Sequence, residues 1–293
     1  MNRVSGGGGW PPLFLFHNEG KAMRESDFAP MSAVGRFSVE QVRRARRKAR
    51  EFGVNSLLTI GDDNPKFGKT DAEFAHIIGL SLAQAKTSGF QVCQHATRGC
   101  MRHCVGKQGL ARVFQSIPKS RKRKTRFFFK DQESFLILLW YEIAREYGKA
   151  YEKGIPVFCR LNVFSDLDWP KIAPWLFSDF PDIRFYDYTK DPYRYSRFQR
   201  GQFPDNYHLT RSFTETMSKR TIDRILGNGG TVAVAFRKGS HRIIPETWKG
   251  WPVFDGDSDD RRFLDPESHI IGLRAKGDSV NDTTGFVVDW GVE

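Results

Sequence analysis

Strand-like and helix-like segments alternate along the second half of the chain, and this alternation is what most constrains the fold. Strand-like runs at 156–163, 183–189, 207–211, 231–237 and 270–275 are separated by helix-like runs at 169–177, 192–198 and 215–226. Parallel strands need a crossover connection, so this order indicates a parallel sheet covered by helices. The sequence therefore predicts an α/β protein, a complete or partial β/α barrel of the TIM type, with ligands at the carboxyl ends of its strands.

The same kinds of pattern predict helices and strands in the first half of the chain. Helices are expected at 39–52, 71–86 and 131–152, and strands at 56–60 and 125–129. The glycine run and the Trp-Pro-Pro that follows it near the amino terminus are typical of a flexible segment. We therefore expect a flexible leader or arm over residues 1–36 and a single barrel-like domain over residues 37–293.

Three of the four cysteines, Cys93, Cys100 and Cys104, lie within one short segment, CQHATRGCMRHC. In a reducing cytosol, cysteines this close in sequence are more often ligands or catalysts than disulfides. Three thiolates fit a four-iron four-sulfur cluster with one iron open to S-adenosylmethionine. They equally fit zinc, with His95, His103 or Cys159 as a fourth ligand. Buried thiols without a metal are the third interpretation.

Polar residues follow several of the predicted strands. Arg160 and Asp166 are the first and last residues of the run RLNVFSD. Lys190 follows FYDYT, and Arg211 ends the predicted strand at 207–211. Because the carboxyl ends of parallel strands meet at one edge, these side chains are expected to surround one mouth. We interpret Asp166 and Lys190 as catalytic candidates and Arg160 and Arg211 as substrate-binding candidates.

The basic charge of the chain belongs to its first part. Residues 1–130 carry 24 Lys and Arg against 9 Asp and Glu, whereas residues 131–293 carry 22 against 25. Such an asymmetry favours a polyanionic partner, and nucleic acid is the commonest. The candidate contacts are Arg43 and Arg47 on the first helix and Arg121 and Lys122 in the cluster at 119–124. A solvated surface without a partner explains the same charges.

Other patterns in the sequence restrict the possible functions and the location of the protein. The acidic run at 255–260 is interpreted as a polar turn that pairs with Arg261 and Arg262, with metal binding there the less favoured reading. The chain contains no P-loop, no dinucleotide-binding glycine motif and no nucleophile elbow. No apolar run reaches the ~18 residues that a membrane span needs. We therefore expect a cytoplasmic protein without membrane contact.

Four motifs together resemble the bacteriophage gene product 88 family and its three-cysteine relatives. They are CQHATRGCMRHC, RLNVFSD, FYDYTKDPYRY and LTRSFTE, and the resemblance covers roughly residues 55–275. The resemblance implies a shortened radical S-adenosylmethionine barrel in which Cys93, Cys100 and Cys104 hold the iron-sulfur cluster. It also implies a phage protein in the host cytoplasm.

Three classes of function remain open at this point. The first is an iron-sulfur, radical S-adenosylmethionine-like barrel enzyme that acts on nucleic acid or a nucleotide. The alternative is a zinc-stabilised barrel protein that binds nucleic acid or exchanges bases. A structural or host-interaction protein that docks through the leader is a third class.

Overall fold

The computed structural model describes residues 35–61 and 75–291. Nearly all of the predicted leader, and the start of the predicted helix 71–86, lie outside these residues. Contacts divide the chain into two units, Met1–Ser38 and Val39–Glu293. The second unit is built on one ten-stranded sheet. Its strands are β1 (Leu58–Ile60), β2 (His76–Leu80), β3 (Val157–Arg160), β4 (Arg184–Thr189), β5 (Tyr207–Ser212), β6 (Val232–Arg237), β7 (Thr247–Trp248), β8 (Trp251–Asp255), β9 (Ile270–Arg274) and β10 (Val287–Asp289).

The strand order places the carboxyl ends of the predicted strands β3 to β6 and β9 at one edge. The sheet runs β1-β2-β3-β4-β5-β6-β9-β8-β7, and every pairing from β2 to β8 is parallel. The outermost strands, β1 and β7, pair antiparallel with their neighbours. β5 pairs with the first residues of β6, whereas β10 pairs parallel with its last residues. β10 therefore continues the sheet beyond the point where β5 ends.

Helices connect these strands as the alternation requires. They are α1 (Val39–Glu51), α2 (Arg98–Arg102), α3 (Leu110–Val113), α4 (Ser116–Lys130), α5 (Gln132–Glu152), α6 (Trp169–Ile172), α7 (Trp175–Asp179), α8 (Pro192–Gln199) and α9 (Lys219–Gly227). Asp131 begins α5 by accepting a hydrogen bond from the Ser134 backbone N–H, so its carboxylate occupies the favoured N-cap position. Gly53, with φ at 68°, follows the end of α1.

The predicted helix at 71–86 is wrong, because His76–Leu80 forms β2. β2 lies inside the sheet, between β1 and β3, and four of its five residues are buried. A strand buried on both faces carries a continuous apolar run rather than an alternating one. Periodicity alone does not separate such a run from a buried helix.

The predicted strand at 125–129 is also wrong, because these residues belong to α4. The aromatic run has high strand propensity, but Phe127 and Phe128 each pack against Phe135 of α5. Phe128 also contacts the ring of Trp169. The sequence analysis missed β7, β8 and β10, which are short or carry no apolar run. The helix expected at 169–177 is divided into α6 and α7.

The α/β class and the mostly parallel sheet are confirmed. A complete barrel is not confirmed, because no pairing among the described residues joins β1 to the β7–β8 edge. Within the described part of the chain, no helix is long and apolar enough to cross a bilayer.

Candidate functional site

A cavity of about 490 Å³ opens at the carboxyl ends of the parallel strands. Its walls come from the ends of β3, β4, β5, β6, β9 and β10, and from the segment that carries the three cysteines. Several of the predicted site residues line it: Cys93, Cys100, Cys104, Arg160, Asp166 and Lys190. Residues that are far apart in sequence therefore meet where ligands bind in parallel α/β folds.

The cysteine segment forms one wall of the cavity, and Glu215 fastens it there. Thr97 is the N-cap of α2, and its hydroxyl donates to Glu215 Oε2 at 2.6 Å. The backbone N–H of Gly99 donates to the other oxygen of the same carboxylate at 2.8 Å. Glu215 lies just after β5, so this double contact fixes the first turn of α2 against the end of the sheet.

The thiols of this wall influence one another. Burial, together with smaller effects of the nearby Asp166 carboxylate and the other two thiols, raises the pKa of Cys93 to about 12. Burial also raises the pKa of Cys100, while the Lys190 ammonium beside that thiol acts in the opposite direction. A thiol with a raised pKa remains protonated at neutral pH, so Cys93 and Cys100 are uncharged in this state.

The three thiols share the cavity without meeting at one point. Across the residues described, no three His, Cys, Asp or Glu side chains are arranged to hold a metal ion as they stand. Cys159, one of the fourth ligands considered, is fully buried on β3 and does not line the cavity. His103 does line it, and its Nε2 lies 2.9 Å from Asp282 Oδ1. His95 lies 3.5 Å from Asp191.

The opposite wall contains Arg160. Its guanidinium lies 2.6 Å from Asp260 Oδ2 and over the rings of Tyr186 and Tyr188. Burial alone would lower the pKa of Arg160, but Asp260 and the other acidic groups around it raise it above its usual range. The Nε of Arg160 is buried and has no hydrogen-bond partner. Arg160 therefore brings a permanent positive charge to the wall.

Asp166 and Lys190 form a connected pair at the ends of β3 and β4. One carboxylate oxygen of Asp166 accepts the Lys190 backbone N–H at 2.8 Å, and the other lies 2.9 Å from the Arg194 guanidinium. The Lys190 ammonium lies beside the Cys100 thiol and 5.5 Å from the centre of the Phe286 ring. In the described part of the chain, Lys190 has no carboxylate partner, unlike the other cations of the cavity.

The remaining predicted residues lie outside the cavity wall. Arg211 is buried, donates to the Thr189 carbonyl at 2.9 Å and does not line the cavity. Its burial lowers its pKa to about 10. Arg121 donates to the Gly106 carbonyl at 2.7 Å and covers the ring of Phe164. Lys122 is half-buried on α4.

Arg43 and Arg47 lie on the exposed side of α1, away from this wall. Arg47 pairs with Glu40 at 3.4 Å, and both side chains are mostly exposed. Exposed pairs of this kind contribute little to stability. The helix is confirmed, but nothing in the structure links these two arginines to the cavity.

The acidic run at 255–260 is a turn whose carboxylates all have cationic partners. Asp255 pairs with Arg274, Asp257 with Lys276, Asp259 with Arg261, and Asp260 with Arg160. The predicted pairing with Arg261 is confirmed, whereas Arg262 pairs with Asp265 instead. Two members of this turn, Asp257 and Asp260, line the cavity.

Sequence reasoning missed several residues of the site. Glu215, Arg194 and Asp282 contact predicted residues, while Arg274 and Phe286 line the cavity. Glu215 and Asp282 are more than a hundred residues from their partners, so no local pattern connects them. Arg274 ends a predicted strand, and the rule that polar residues at strand ends line ligand sites would have found it.

The model of a protein family described as gene product 88 matches residues 48–289. The matched region includes all three cysteines of the wall and every strand that lines the cavity. No curated protein and no solved structure matches the chain.

Proposed function

Since the chain belongs to the gene product 88 family, and that family's match spans the cavity, we propose that the cavity is the active site of an iron-sulfur enzyme acting on nucleic acid or a nucleotide. The observation that carries the proposal is that Cys93, Cys100 and Cys104 line one cavity at the carboxyl ends of parallel strands. In a β/α fold, that edge is where chemistry takes place.

The donor chemistry of this wall fits the proposed centre. Cysteine thiolates are the usual ligands of iron-sulfur clusters, and three of them leave one iron open. Cys93, Cys100 and Cys104 would hold the cluster, which would supply one-electron chemistry with bound S-adenosylmethionine. We further propose that the strands act as a partial barrel around this centre.

The cavity residues have distinct proposed roles. Lys190, which has no carboxylate partner among the described residues, and Arg160 attract the anionic part of the substrate. Both oxygens of Asp166 are engaged, by the Lys190 backbone and by Arg194. We therefore assign Asp166 as a positioning residue that holds the end of β4, rather than as a proton donor.

Zinc is the alternative centre, and the contact between His103 and Asp282 favours it. Metal-bound histidines usually donate one ring N–H to a carboxylate, and Nε2 of His103 lies 2.9 Å from Asp282 Oδ1, although this pair is not aligned as a hydrogen bond. The other ring nitrogen, Nδ1, is buried without a hydrogen-bond partner. A zinc site of three thiolates and His103 would then stabilise a protein that binds nucleic acid or exchanges bases.

Metal and sulfide analysis of anaerobically purified full-length protein tests the proposal. We expect about four iron and four sulfide per chain, with visible absorbance that a Cys93→Ala/Cys100→Ala/Cys104→Ala variant lacks. Cys159→Ala is the matched control, because this cysteine lies off the cavity wall, and it should keep the cluster.

Other results would reject the iron-sulfur centre. About one zinc per chain without sulfide, lost in the triple variant and in His103→Ala, would establish the alternative. Wild-type protein that binds neither metal after anaerobic reconstitution would contradict both.

A further inference from the structure

The chain between residues 87 and 130 contains eleven Lys and Arg and no Asp or Glu. The structure places this stretch over the cysteine segment, α3 and α4. Two of these cations pack against the protein: Lys124 is buried, and Arg121 lies over the ring of Phe164. Lys122 is half-buried, and the other cations are exposed.

The exposed cations between residues 98 and 119, together with the apolar side chains between them, form a surface that we call the basic rim. Its cations are Arg98, Arg102, Lys107, Arg112 and Lys119. Between them lie exposed apolar side chains: Met101, Val105, Leu110, Val113 and Phe114. Val113 is 70% exposed and Phe114 54% exposed, which is unusual for neighbouring large apolar residues. The rim therefore presents positive charge and apolar surface together.

The basic rim borders the cavity. Val105 belongs to both, since it is 42% exposed and also lines the cavity. Arg112 pairs with Asp278 at 3.0 Å, and Lys276 and Ser279 on either side of Asp278 line the cavity. A ligand lying on the rim would therefore have one end at the cavity mouth.

We propose that the basic rim binds single-stranded nucleic acid and delivers one of its nucleotides into the cavity. This inference rests on the proposed function for the role of the cavity, and it names the form of its substrate. The phosphates contact the cations of the rim, while exposed bases stack on Phe114 and its apolar neighbours.

Single-stranded nucleic acid fits the rim better than a duplex does. A duplex presents phosphates outside and keeps its base faces stacked, so it leaves Val113 and Phe114 without partners. A base also reaches an enclosed site only from a single strand or after it has flipped out of a duplex. The absence of any carboxylate from residues 87–130 argues for a polyanion over a protein, whose surface carries both signs of charge.

Fluorescence anisotropy with the full-length protein and a labelled oligothymidine tests the inference. The probe is about 20 nucleotides long, above the usual site size of about 4–16, and a duplex of the same length is its competitor. We expect the single strand to bind at least tenfold more tightly than the duplex. We also expect its affinity to fall with salt by about 0.7 log units per tenfold rise in salt for each phosphate contacted.

Two pairs of substitutions locate the binding surface. Arg102→Glu/Lys119→Glu reverses two rim charges and should weaken binding at least tenfold. Lys153→Glu/Arg200→Glu makes the same charge change in the loops before β3 and β5, at the opposite end of the sheet, and should change it less than twofold. Phe114→Ala should weaken binding about tenfold through lost stacking, whereas Tyr151→Ala, an exposed aromatic at the end of α5, should not.

Thermal melts and metal content, measured on each variant, separate lost binding from lost folding. Equal effects of the two charge pairs, tighter binding to the duplex, or an unchanged affinity of Arg102→Glu/Lys119→Glu would each overturn the inference. Loss of binding in Arg43→Glu/Arg47→Glu alone would also overturn it, because the nucleic acid would then bind along α1. Metal content that survives such a result would leave the iron-sulfur part of the proposed function standing, because thiols and not the rim cations would hold the cofactor.

Discussion

Gly99 lies where α2 comes closest to the carboxyl-terminal segment of the chain. A Cβ atom on this residue would overlap the Cβ of Phe286 and the hydroxyl of Thr284. Phe286 lines the cavity, so the close approach brings the cysteine wall and the β10 side of the cavity together. The absence of a side chain at this one position lets α2 pack directly against Thr284 and Phe286.

Gly99→Ala should therefore reduce both stability and the cofactor content. The added methyl overlaps a Cβ rather than the end of a flexible side chain, so the backbone must move, at a cost of about 1–3 kcal/mol in the free energy of unfolding. Gly227→Ala is the control, because a Cβ there meets no atom within 4 Å. Urea denaturation and metal analysis measure both effects, and equal stability of the two variants would contradict the prediction.

Glu146 is a buried carboxylate that ties α5 to β2. It accepts from His76 at 3.1 Å and from Lys149 at 2.9 Å, and it contacts Arg145. Burial raises the pKa of Glu146, but these hydrogen bonds outweigh burial and lower it to about 2. Because the folded protein holds this carboxyl ionised, Glu146 contributes fully to the free energy of unfolding above about pH 4.5, and this contribution is lost as the pH falls towards 2.

Glu146→Gln should thus lower the free energy of unfolding by about 2 kcal/mol at neutral pH. The difference from wild type should shrink as the pH drops below about 4.5, since the unfolded wild-type chain then binds a proton at this carboxyl that the folded protein takes up only near pH 2. Glu152→Gln, an exposed position near the end of the same helix, should show neither effect. A difference that stays constant down to about pH 3 would contradict the assignment.

At the level of elements, α4 shows how a single charged run divides between solvent and core. Lys124, the last residue of the basic cluster at 119–124, is buried and donates to the Leu57 carbonyl at 2.7 Å. Glu142 of α5 accepts the backbone N–H groups of Leu57 and Leu58. Burial lowers the pKa of Lys124 to about 8, although Glu142 acts against the decrease. The two helices thereby hold the start of β1.

Lys124→Met should destabilise the protein by about 3 kcal/mol, because it leaves the Leu57 carbonyl without its donor and removes a positive charge that acts on the buried Glu142. Lys122→Met removes the same charge two residues earlier, from a half-buried position, and should cost no more than about 0.5 kcal/mol. Chemical denaturation of both variants measures the difference. Equal costs would place Lys124 among the solvated charges.

At the level of the whole molecule, the carboxyl-terminal segment completes the cavity. β10 extends the sheet beside β6, and Phe286 and Val287 line the cavity. Arg237 of β6 holds this segment in place by donating to both oxygens of Asp289 and to the carbonyls of Val280 and Asp282. A two-pronged contact with a carboxylate is geometrically specific, so few other residues can replace Arg237.

Arg237→Gln should release the segment and open one side of the cavity. We expect a loss of about 2 kcal/mol in stability and faster proteolytic cleavage within residues 276–291. Arg242→Gln, an exposed arginine in the connection after β6, should leave the cleavage rate unchanged. Wild-type resistance to cleavage in Arg237→Gln would show that strand pairing alone holds β10.

The sequence by itself determined the parts of this protein that depend on local patterns. Alternating apolar runs are sufficient for the parallel strands β3 to β6 and β9, and polar residues after those strands are sufficient to place Arg160, Asp166 and Lys190 at one edge. The cysteine spacing marked the segment that forms the opposite wall. The family resemblance drawn from these motifs is confirmed by the match to gene product 88.

Only the tertiary structure decided the rest. It made His76–Leu80 a strand, because that run lies between two other strands, and it turned Lys124 inward and Arg211 away from the cavity. It also brought Glu215 to Gly99 across more than a hundred residues. The physical reason is that periodicity reports which side of an element is apolar, whereas the partner of a buried polar group depends on which distant segments fold against it.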